Sequence, residues 1–292
     1  MQYFVSIENS SFFYWQVELL IESFFMHGLQ DNLVIAVAEN DRPKIKGYSS
    51  NLVRYGKKFM HSNSGLEAGH LPLNRAVAIR TALAEGMLGF PFSVIHSDMI
   101  LRKPFPEEGF CPDYGMVVNS LEETSEKTRK DIKDAIGPGL TRIAEERNIV
   151  TADLPEIPAF SAPIVFNESF GQLSDVFFAR LQSNTEDLIE AKGGDFPCER
   201  AAWELTLAES FQHCSVKSEF MAAPLMSDET DTNFIHYKNG IPPVFHKKFF
   251  KFDDVSVNVG RCPFEVIMEH NPTPNTAYVH EVIKSYNARR ET

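Results

Sequence analysis

The sequence predicts an α/β protein in which helices flank a mostly parallel central sheet. Two observations support this class. Strands nearly continuous in apolar residues alternate with helices over the first third of the chain, and polar caps and glycines mark the helix ends. In such sheets, ligands bind outside the carboxyl ends of the strands. The polar residues that follow each strand are therefore the first candidates for a functional site.

Strands and helices alternate through this N-terminal third. Ser10 or Ser11 is placed to cap the first helix and Gly28 to end it, whereas Asn74 is placed to cap the second and Gly86 to end it. The strands are predicted at residues 3–7, 32–40, 58–61 and 90–96, and the helices within 10–29 and at 73–86.

The rest of the chain continues the alternation and becomes irregular near its end. Strands are predicted at 115–120 and 162–167, and helices within 121–148, at 168–182, at 198–213 and from about 277 to 290. The sequence has no internal repeat and no low-complexity linker. We therefore expect one domain, residues 1–292, with a C-terminal extension that packs back on it.

The chain is acidic, with 40 Asp and Glu against 28 Lys and Arg and a net charge of −12. A nucleic-acid-binding protein needs a basic patch to neutralise phosphates, and the sequence has no long basic run. We therefore expect no nucleic-acid partner. A protein of this charge that binds an anionic ligand must supply local positive charge, most simply as a metal ion.

Cysteine usage and hydropathy indicate a reducing, soluble environment. Cys111, Cys198, Cys214 and Cys262 form no CxxC pair, so neither a disulfide framework nor a zinc knuckle is expected. The N-terminus has no basic region ahead of an apolar run, and no stretch of about 20 apolar residues follows. The sequence thus predicts no signal peptide, no integral membrane segment and a cytoplasmic location.

The stretch VIHSDMILRKPF (94–105) places His96, Ser97 and Asp98 after an apolar strand. Side chains two apart on a strand point to the same side, so His96 and Asp98 can offer an imidazole and a carboxylate to one ligand. Mg²⁺ favours oxygen ligands, and Mn²⁺ also accepts imidazole. The alternative is an Asx turn at Asp98 before Pro104 with a His96 that only packs, and this stretch leaves both open.

A second segment, FIHYKNG (234–240), places His236 at a predicted strand end. Gly240, which permits close backbone approach, comes four residues later, and the cations Lys247 and Lys248 follow. A lone histidine is more often structural than functional. Together, however, an aspartate, a histidine and a lysine pair would suit a metal diphosphate, with the metal bridging phosphate oxygens and a lysine neutralising the rest.

A third candidate segment is GGDFPCERAAWELTLAES (193–210). Glu199 and Trp203 are four residues apart and share a helix face, where a carboxylate and an aromatic ring could contact one ligand. Asp195 and Glu204 are the candidate catalytic carboxylates. An amphipathic helix with Trp203 in the core explains the same pattern, and the sequence leaves both open.

The order of these parts resembles a glycosyltransferase of the GT-A fold, the nucleotide-diphospho-sugar transferase superfamily. In that family a DxD motif at a strand end binds Mn²⁺ with the donor diphosphate. His96-Ser97-Asp98 takes that place here, with histidine in the first acidic position. FIHYKNG resembles the C-terminal His-Phe/Tyr-x-x-Gly segment of several retaining families, where the histidine completes the metal site. YWQVELLIESF, HSDMILRKPF, WELTLAES and IHY are also similar to the peptidyl hydroxyproline arabinosyltransferases.

The resemblance implies a role for each candidate. Residues 1 to about 105 would form the nucleotide-binding half and the remainder the acceptor-binding half, and Mn²⁺ or Mg²⁺ would be held by His96, Asp98 and His236. The implied donor-binding residues are Ile7, Glu8, Asn9, Asp41, Asn74, Arg75, Ser97, Gly240, Lys247 and Lys248. The implied acceptor-binding residues are Glu199 and Trp203, whose ring could stack on a sugar. Asp41 equally suits a polar turn and Asn74 a helix cap. Arg75 is the stronger candidate, because a guanidinium matches phosphate geometry.

The predicted activity is metal-dependent transfer of a hexosyl or pentosyl group from a nucleotide-diphosphate donor, a UDP-sugar, to a hydroxyl, with retention of configuration. The acceptor would be a glycan, a peptide or a small molecule. One alternative is a metal-dependent phosphoesterase or other hydrolase, although a denser ligand set such as HxH is typical of that class. The other is a binding protein with a degenerate GT-A fold, which the histidine at the first metal position favours.

Overall fold

A seven-stranded mixed sheet, the main sheet, organises the part of the chain that the structure describes. This structure is a computed structural model. The described residues are 1–8, 11–38, 58–62, 71–119, 161–192, 197–210, 215–237, 240–241, 245–246 and 273–290. The strands are Gln2–Glu8 (β1), Leu33–Ala38 (β2), Lys58–Ser62 (β3), Phe92–Val94 (β4), Met99–Leu101 (β5), Met116–Asn119 (β6), Ser161–Phe166 (β7), Val216–Glu219 (β8), Ala222–Pro224 (β9), Phe234–His236 (β10), Gly240–Ile241 (β11) and Phe245–His246 (β12).

Five α-helices accompany these strands within the described ranges. They are Ser11–Met26 (α1), Leu71–Ala84 (α2), Ser174–Lys192 (α3), Pro197–Ser210 (α4) and Pro274–Arg290 (α5), with short 3₁₀ helices at Gln30–Asn32 and Glu168–Leu173. None of these helices is both long and apolar enough to cross a membrane. The charged segment 121–148, where the sequence predicts helices, lies outside the described residues.

The main sheet has the strand order β3-β2-β1-β4-β7-β6-β8. β1 pairs in parallel with both β2 and β4, and β2 pairs in parallel with β3. β7 runs antiparallel to its neighbours β4 and β6, and β6 pairs in parallel with β8. The predicted class, an α/β fold with a mostly parallel sheet flanked by helices, is therefore confirmed, with β7 as the reversed strand.

Helices cover both faces of the main sheet, which explains its continuous apolar strands. On β1, the side chain of Phe4 packs on one face with residues of α2, α3 and α4, whereas Tyr3 and Val5 pack on the other face with α1. All three are at most 1% exposed. A strand buried on both faces reads as an uninterrupted apolar run, which is the pattern the sequence shows.

A second, smaller sheet has three strands in the order β5-β10-β9. β10 pairs antiparallel with β5 and in parallel with β9. This pairing joins the segment directly after β4 to a strand from the C-terminal third. The small sheet is therefore the element that brings the two sequence motifs together.

Two predicted helices differ from the observed ones in their bounds. α2 begins at Leu71, so Asn74 lies within its first turn and is not the predicted cap. Pro72 near the start favours this, because early helical positions need no backbone N–H donor. The helix predicted at 168–182 is a 3₁₀ turn followed by α3, which continues to Lys192. Beyond residue 182 this helix contacts α4, where the buried Asn184 amide donates to Thr206 Oγ1 at 3.0 Å.

Candidate metal centre

The turn between β4 and β5, residues 95–98, carries the first part of the site. The predicted strand 90–96 ends at Val94, so this turn follows the strand at the carboxyl edge of the main sheet. The backbone amide of Ile95 donates to the Phe4 carbonyl of β1 at 2.9 Å. The Ser97 hydroxyl donates to Gln16 Oε1 of α1 at 3.1 Å in a buried position. Contacts to a strand and a helix therefore fix this turn.

β10 brings His236 to the same place. Its antiparallel register pairs His236 with Met99, the first residue of β5. Immediately after the strand, the backbone amide of Tyr237 donates to the carbonyl of Asp98 at 3.1 Å. The sheet pairing thus fixes the separation of two residues that are far apart in the sequence.

His96, Asp98 and His236 form one cluster of metal-ligand groups. Nε2 of His236 lies 3.2 Å from Oδ1 of Asp98, and the side chains are 17% and 11% exposed. One ligand atom from each residue lies within 4.8 Å of the others. Adjacent ligands of one ion lie about 3 Å apart when the metal–ligand bonds are about 2.1 Å. The donor set therefore fits a divalent metal ion, and the predicted proximity of the three residues is observed.

The side chains of the cluster are slightly exposed to solvent, whereas the residues around them are buried. The rings of His96 and His236 have their centroids 5.8 Å apart with an interplanar angle of 69°, so they approach edge to face. Asp98 is only 8% exposed as a whole residue. A site of this kind is dry enough to strengthen electrostatic interactions and open enough to admit a ligand.

Arg75 of α2 adds a buried positive charge beside the cluster. It is 7% exposed, and its Nη1 lies 3.4 Å from Nε2 of His96. Arginine has donors only, so this contact is a hydrogen bond when Nε2 of His96 carries its lone pair. Arg75, which the sequence suggests as a donor-binding residue, therefore lies next to the metal-ligand cluster.

Tyr237, which follows His236, is buried close to Asp98. The residue is 1% exposed, and its ring centroid lies 6.2 Å from that of Trp15. Burial raises the pKa of the Tyr237 phenol well above its ordinary value, and the nearby negative charge of Asp98 raises it further. Tyr237 therefore stays a neutral phenol and adds no charge to the site.

For the other predicted site residues, the structure gives only the burial or the element in which each lies. Ile7 is fully buried in the core, so only its main chain is available to a donor. Glu8 ends β1, and Gly240 pairs with His246 in a two-stranded ribbon. Glu199 and Glu204 lie on α4. The predicted residues outside the described ranges are Asn9, Asp41, Asp195, Lys247 and Lys248.

Trp203 corrects one expectation about the acceptor side. Its residue exposure is 4%, and its ring lies 6.0 Å from Phe177 and 6.3 Å from Phe166, measured between centroids. The ring is therefore part of the core and is not accessible for stacking on a sugar. Helical periodicity is the same for a core face and a ligand face, which is why the sequence left both interpretations open.

Two supporting residues were not recognised as part of the site from the sequence. Gln16 interrupts the apolar stretch of α1 yet is fully buried, and it accepts the hydrogen bond of Ser97. Tyr237 adjoins His236, and its backbone amide donates to the Asp98 carbonyl. A polar residue on the apolar face of a helix is the available signal for Gln16, because a buried amide requires a partner.

Comparison of overall shape finds similarity to solved glycosyltransferases. A crystal structure of the galactosyltransferase LgtC with donor and acceptor sugar analogues is 12% identical, and the match covers 98% of this chain and 96% of that one with a TM-score of 0.48. A glycosyltransferase involved in glycosylation of the major capsid of PBCV-1 is 11% identical, and the match covers 86% of this chain and 97% of that one with a TM-score of 0.41. Apo GlyE from Streptococcus pneumoniae TIGR4 is 10% identical, and the match covers 99% of this chain and 64% of that one with a TM-score of 0.46. No protein-family model and no curated protein sequence matches the chain.

These similar structures are of the class that the sequence resemblance named, namely glycosyltransferases. At such low identities and TM-scores, a likeness in shape defines neither the donor nor the metal. The narrower relation to the peptidyl hydroxyproline arabinosyltransferases stays a prediction.

Proposed function

We propose that the protein is a metal-dependent glycosyltransferase that moves a sugar from a nucleotide-diphosphate donor, a UDP-sugar, to a hydroxyl acceptor. One observation carries this proposal. His96, Asp98 and His236 converge at the carboxyl edge of a mostly parallel sheet, with the buried guanidinium of Arg75 beside them. Open α/β sheets bind their ligands at this edge.

The charges of the site favour a diphosphate as the ligand. A divalent ion contributes +2, Arg75 contributes +1 and Asp98 contributes −1, which leaves about +2 when both histidines are neutral. The diphosphate of a sugar nucleotide carries about two negative charges. An acidic protein can therefore bind this anion at a locally positive site.

Each site residue has a defined task in the proposed reaction. Cleavage of the bond between the anomeric carbon and the diphosphate leaves negative charge on the departing phosphate. A bound Mn²⁺ or Mg²⁺ would supply Lewis-acid stabilisation of that charge. Asp98 and His236 would hold the ion, and Arg75 would donate to phosphate oxygens in a poorly hydrated environment. His96 would complete the ligand set, and its Nε2 lies 3.4 Å from Nη1 of Arg75.

The remaining predicted residues complete the proposal. The main chain of Ile7, with Glu8, Asn9 and Asp41, would contact the base and ribose, and Lys247 or Lys248 would neutralise the remaining phosphate charge. Asn74 and Gly240 would contribute to the donor pocket. Asp195 and Glu204 are the proposed catalytic carboxylates, with Glu199 on the acceptor side. Retention of configuration, as the family resemblance implies, makes no strong protein base obligatory.

Thermal unfolding with Mn²⁺ and UDP tests the proposal. A ligand at 100 times its Kd stabilises a protein by about 2.7 kcal/mol, which for a chain of 292 residues corresponds to a rise in Tm of roughly 4 to 5 °C. Asp98→Asn should lose the stabilisation by Mn²⁺ with UDP, whereas Asp231→Asn should keep it. Asp231 is the matched control because its side chain is 84% exposed and pairs only at the surface with Lys103.

A screen of UDP- and GDP-sugars for Mn²⁺-dependent donor hydrolysis identifies the donor. Slow release of the nucleoside diphosphate from one sugar nucleotide is expected of a transferase without its acceptor. Hydrolysis of simple phosphate esters instead would favour the hydrolase alternative. Binding of UDP without turnover of any donor would indicate a protein that binds nucleotides but does not transfer sugar. No stabilisation by any nucleotide with Mn²⁺ would exclude the proposed function.

A further inference from the structure

Asn119, the last residue of β6, joins the main sheet to the small sheet through its side chain. The side-chain oxygen accepts from the backbone amides of Met221 and Ala222 at 2.8 and 3.0 Å. Ala222 is the first residue of β9, the strand that pairs in parallel with β10. Asn119 is 1% exposed, so both hydrogen bonds form away from water, where they are stronger than at a surface.

Backbone hydrogen bonds continue from this contact to the strand that carries His236. The Met221 carbonyl accepts from the backbone amides of Asn233 and Phe234 at 3.0 and 3.1 Å, where β10 begins. Phe234 lies two residues before His236 on the same strand. Two steps of hydrogen bonding therefore lead from Asn119 in the main sheet to a strand with a proposed metal ligand at its end.

The strands of the small sheet are short, which makes their alignment depend on such contacts. β5, β9 and β10 have three residues each. Strands of this length form few ladder hydrogen bonds, so pairing alone specifies their position along one another weakly. A small shift of β10 along its neighbours would move Nε2 of His236 from its place 3.2 Å from Oδ1 of Asp98.

The surroundings of the Asn119 amide are apolar, which indicates that the amide is there for its geometry. Val117, Met221 and Phe234 share one buried hydrophobic cluster with residues of both sheets. An apolar side chain at position 119 would avoid the cost of burying a polar group. The register of β6 against β7 also shifts between Val118 and Asn119. Irregularities of this kind commonly redirect a side chain.

From these contacts we propose that Asn119 is a positioning residue for the metal centre: through β9 it sets where β10 places His236 relative to Asp98. The amide is neutral and contacts main-chain N–H groups, so it acts on the geometry of the site and adds no charge to it. This inference rests on the proposed metal-dependent function and adds a determinant that lies outside the ligand set.

Calorimetric titration of the full chain with MnCl₂ in the presence of UDP tests this role. Asn119→Leu keeps a similar shape but lacks the acceptor, and its Mn²⁺ affinity should fall by roughly tenfold or more, as it does when supporting contacts of metal sites are lost. Asn119→Asp keeps an acceptor oxygen and should recover most of that affinity. Asn119→Ser, whose shorter hydroxyl reaches less far, replaces the leucine variant if the latter does not fold.

Asn184→Leu is the matched control for the titration. It also removes a fully buried amide, but that amide lies on α3 and donates to Thr206 of α4. Asn184→Leu should unfold at a lower urea concentration than the wild type and should still bind Mn²⁺ with wild-type affinity. A structural role alone would instead make the two leucine variants alike.

Pulsed electron paramagnetic resonance of the Mn²⁺-loaded protein with UDP separates a displaced ligand from a general loss of stability. At saturating Mn²⁺, Asn119→Leu should lose imidazole nitrogen coupling as His236→Gln does, whereas Asn184→Leu should keep the wild-type coupling. Wild-type affinity and coupling in Asn119→Leu, equal losses in both leucine variants, or no recovery in Asn119→Asp would overturn the assignment of Asn119. A wild-type protein that binds no Mn²⁺ with UDP would instead remove the proposed function itself.

Discussion

Arg75 is the residue whose environment most directly links the metal cluster to a phosphate ligand. Its guanidinium is buried at the start of α2 and touches His96, but it belongs to no metal-ligand set. The sequence suggested Arg75 as a donor-binding residue. Its contact with His96 could not be predicted, because it depends on the rotation of α2 against the main sheet.

At the residue scale, replacing Arg75 should separate nucleotide binding from metal binding. Arg75→Gln removes a charge-assisted hydrogen bond worth about 1.5 to 3 kcal/mol, so the affinity for UDP in the presence of Mn²⁺ should fall by roughly 10- to 100-fold. The affinity for Mn²⁺ alone should not fall. Calorimetry measures both.

Arg80→Gln is the control for this experiment, since Arg80 lies on the same helix but is exposed and contacts Gln182. Equal loss of UDP affinity in both variants would mean that the effect is not specific to the site. Unchanged UDP affinity in Arg75→Gln would remove Arg75 from the proposed donor site.

At the element scale, the sequence predicted the longer buried strands of the main sheet but missed the short strands β5, β8 and β9. Strands such as β1 and β2 are apolar runs buried on both faces, so their signal is local. The start of α2 agrees with the local signal of Pro72, whereas α3 continues past the predicted residue 182 where Asn184 contacts α4. The convergence of the two histidine motifs followed from their positions at strand ends, whereas the pairing of β5 with β10 required the structure.

The C-terminal helix α5 braces the strand that carries His236. Ile235 and Tyr237, which flank that histidine, share a buried cluster with Val282 and Ile283 of α5. The Tyr286 hydroxyl also donates to the buried carboxylate of Glu18 on α1. Docking of α5 therefore supports both α1 and the metal-binding strand.

Two histidines make the docking of α5 sensitive to acid. Burial lowers the pKa of His27, which lies just after α1 and contacts the Tyr278 hydroxyl at 3.0 Å, although backbone contacts at Leu101 and Arg102 partly oppose the shift. Burial, followed by the charge of Lys284, also lowers the pKa of His280. Below about pH 6.5 the unfolded chain therefore binds more protons than the folded one.

It follows that stability present above pH 6.5 should be lost as the pH falls through the lowered pKa values of these histidines. Denaturant unfolding from pH 8 to pH 5 should show a steeper loss for the wild type than for the double variant His27→Gln/His280→Gln. Identical slopes for the two proteins would contradict this account, because general acid effects are common to both.

At the scale of the whole molecule, stability and metal binding reside on separable parts of the core. Phe166 lies in an aromatic cluster with Phe178 of α3 and Trp203 of α4, at ring-centroid distances of 5.2 and 6.3 Å. The residues that surround the metal cluster, such as Ile95 and Tyr237, belong to other core clusters. Phe166 also stacks on Phe92 of β4, with ring centroids 4.9 Å apart, but the metal-ligand residues lie beyond the end of that strand, so we expect the site to tolerate the loss of this ring.

Phe166→Ala should destabilise the folded state by about 3 to 5 kcal/mol, because it removes a fully buried ring and leaves a cavity. Mn²⁺ affinity below the unfolding transition should remain that of the wild type. Urea unfolding and calorimetry measure the two quantities. Val176→Ala, at a residue 67% exposed, is the control and should change stability by less than about 0.5 kcal/mol. A large loss of Mn²⁺ affinity in Phe166→Ala would show that the two parts are coupled.

The central claim is that His96, Asp98 and His236 hold a metal ion that binds a nucleotide diphosphate. The most direct test is an anomalous difference map from crystals grown with Mn²⁺ and UDP. The account predicts one manganese peak within bonding distance of the Asp98 carboxylate and of the His96 and His236 imidazoles, with the diphosphate of UDP contacting both the ion and Arg75. A manganese peak at another site, or UDP bound away from these residues, would contradict it.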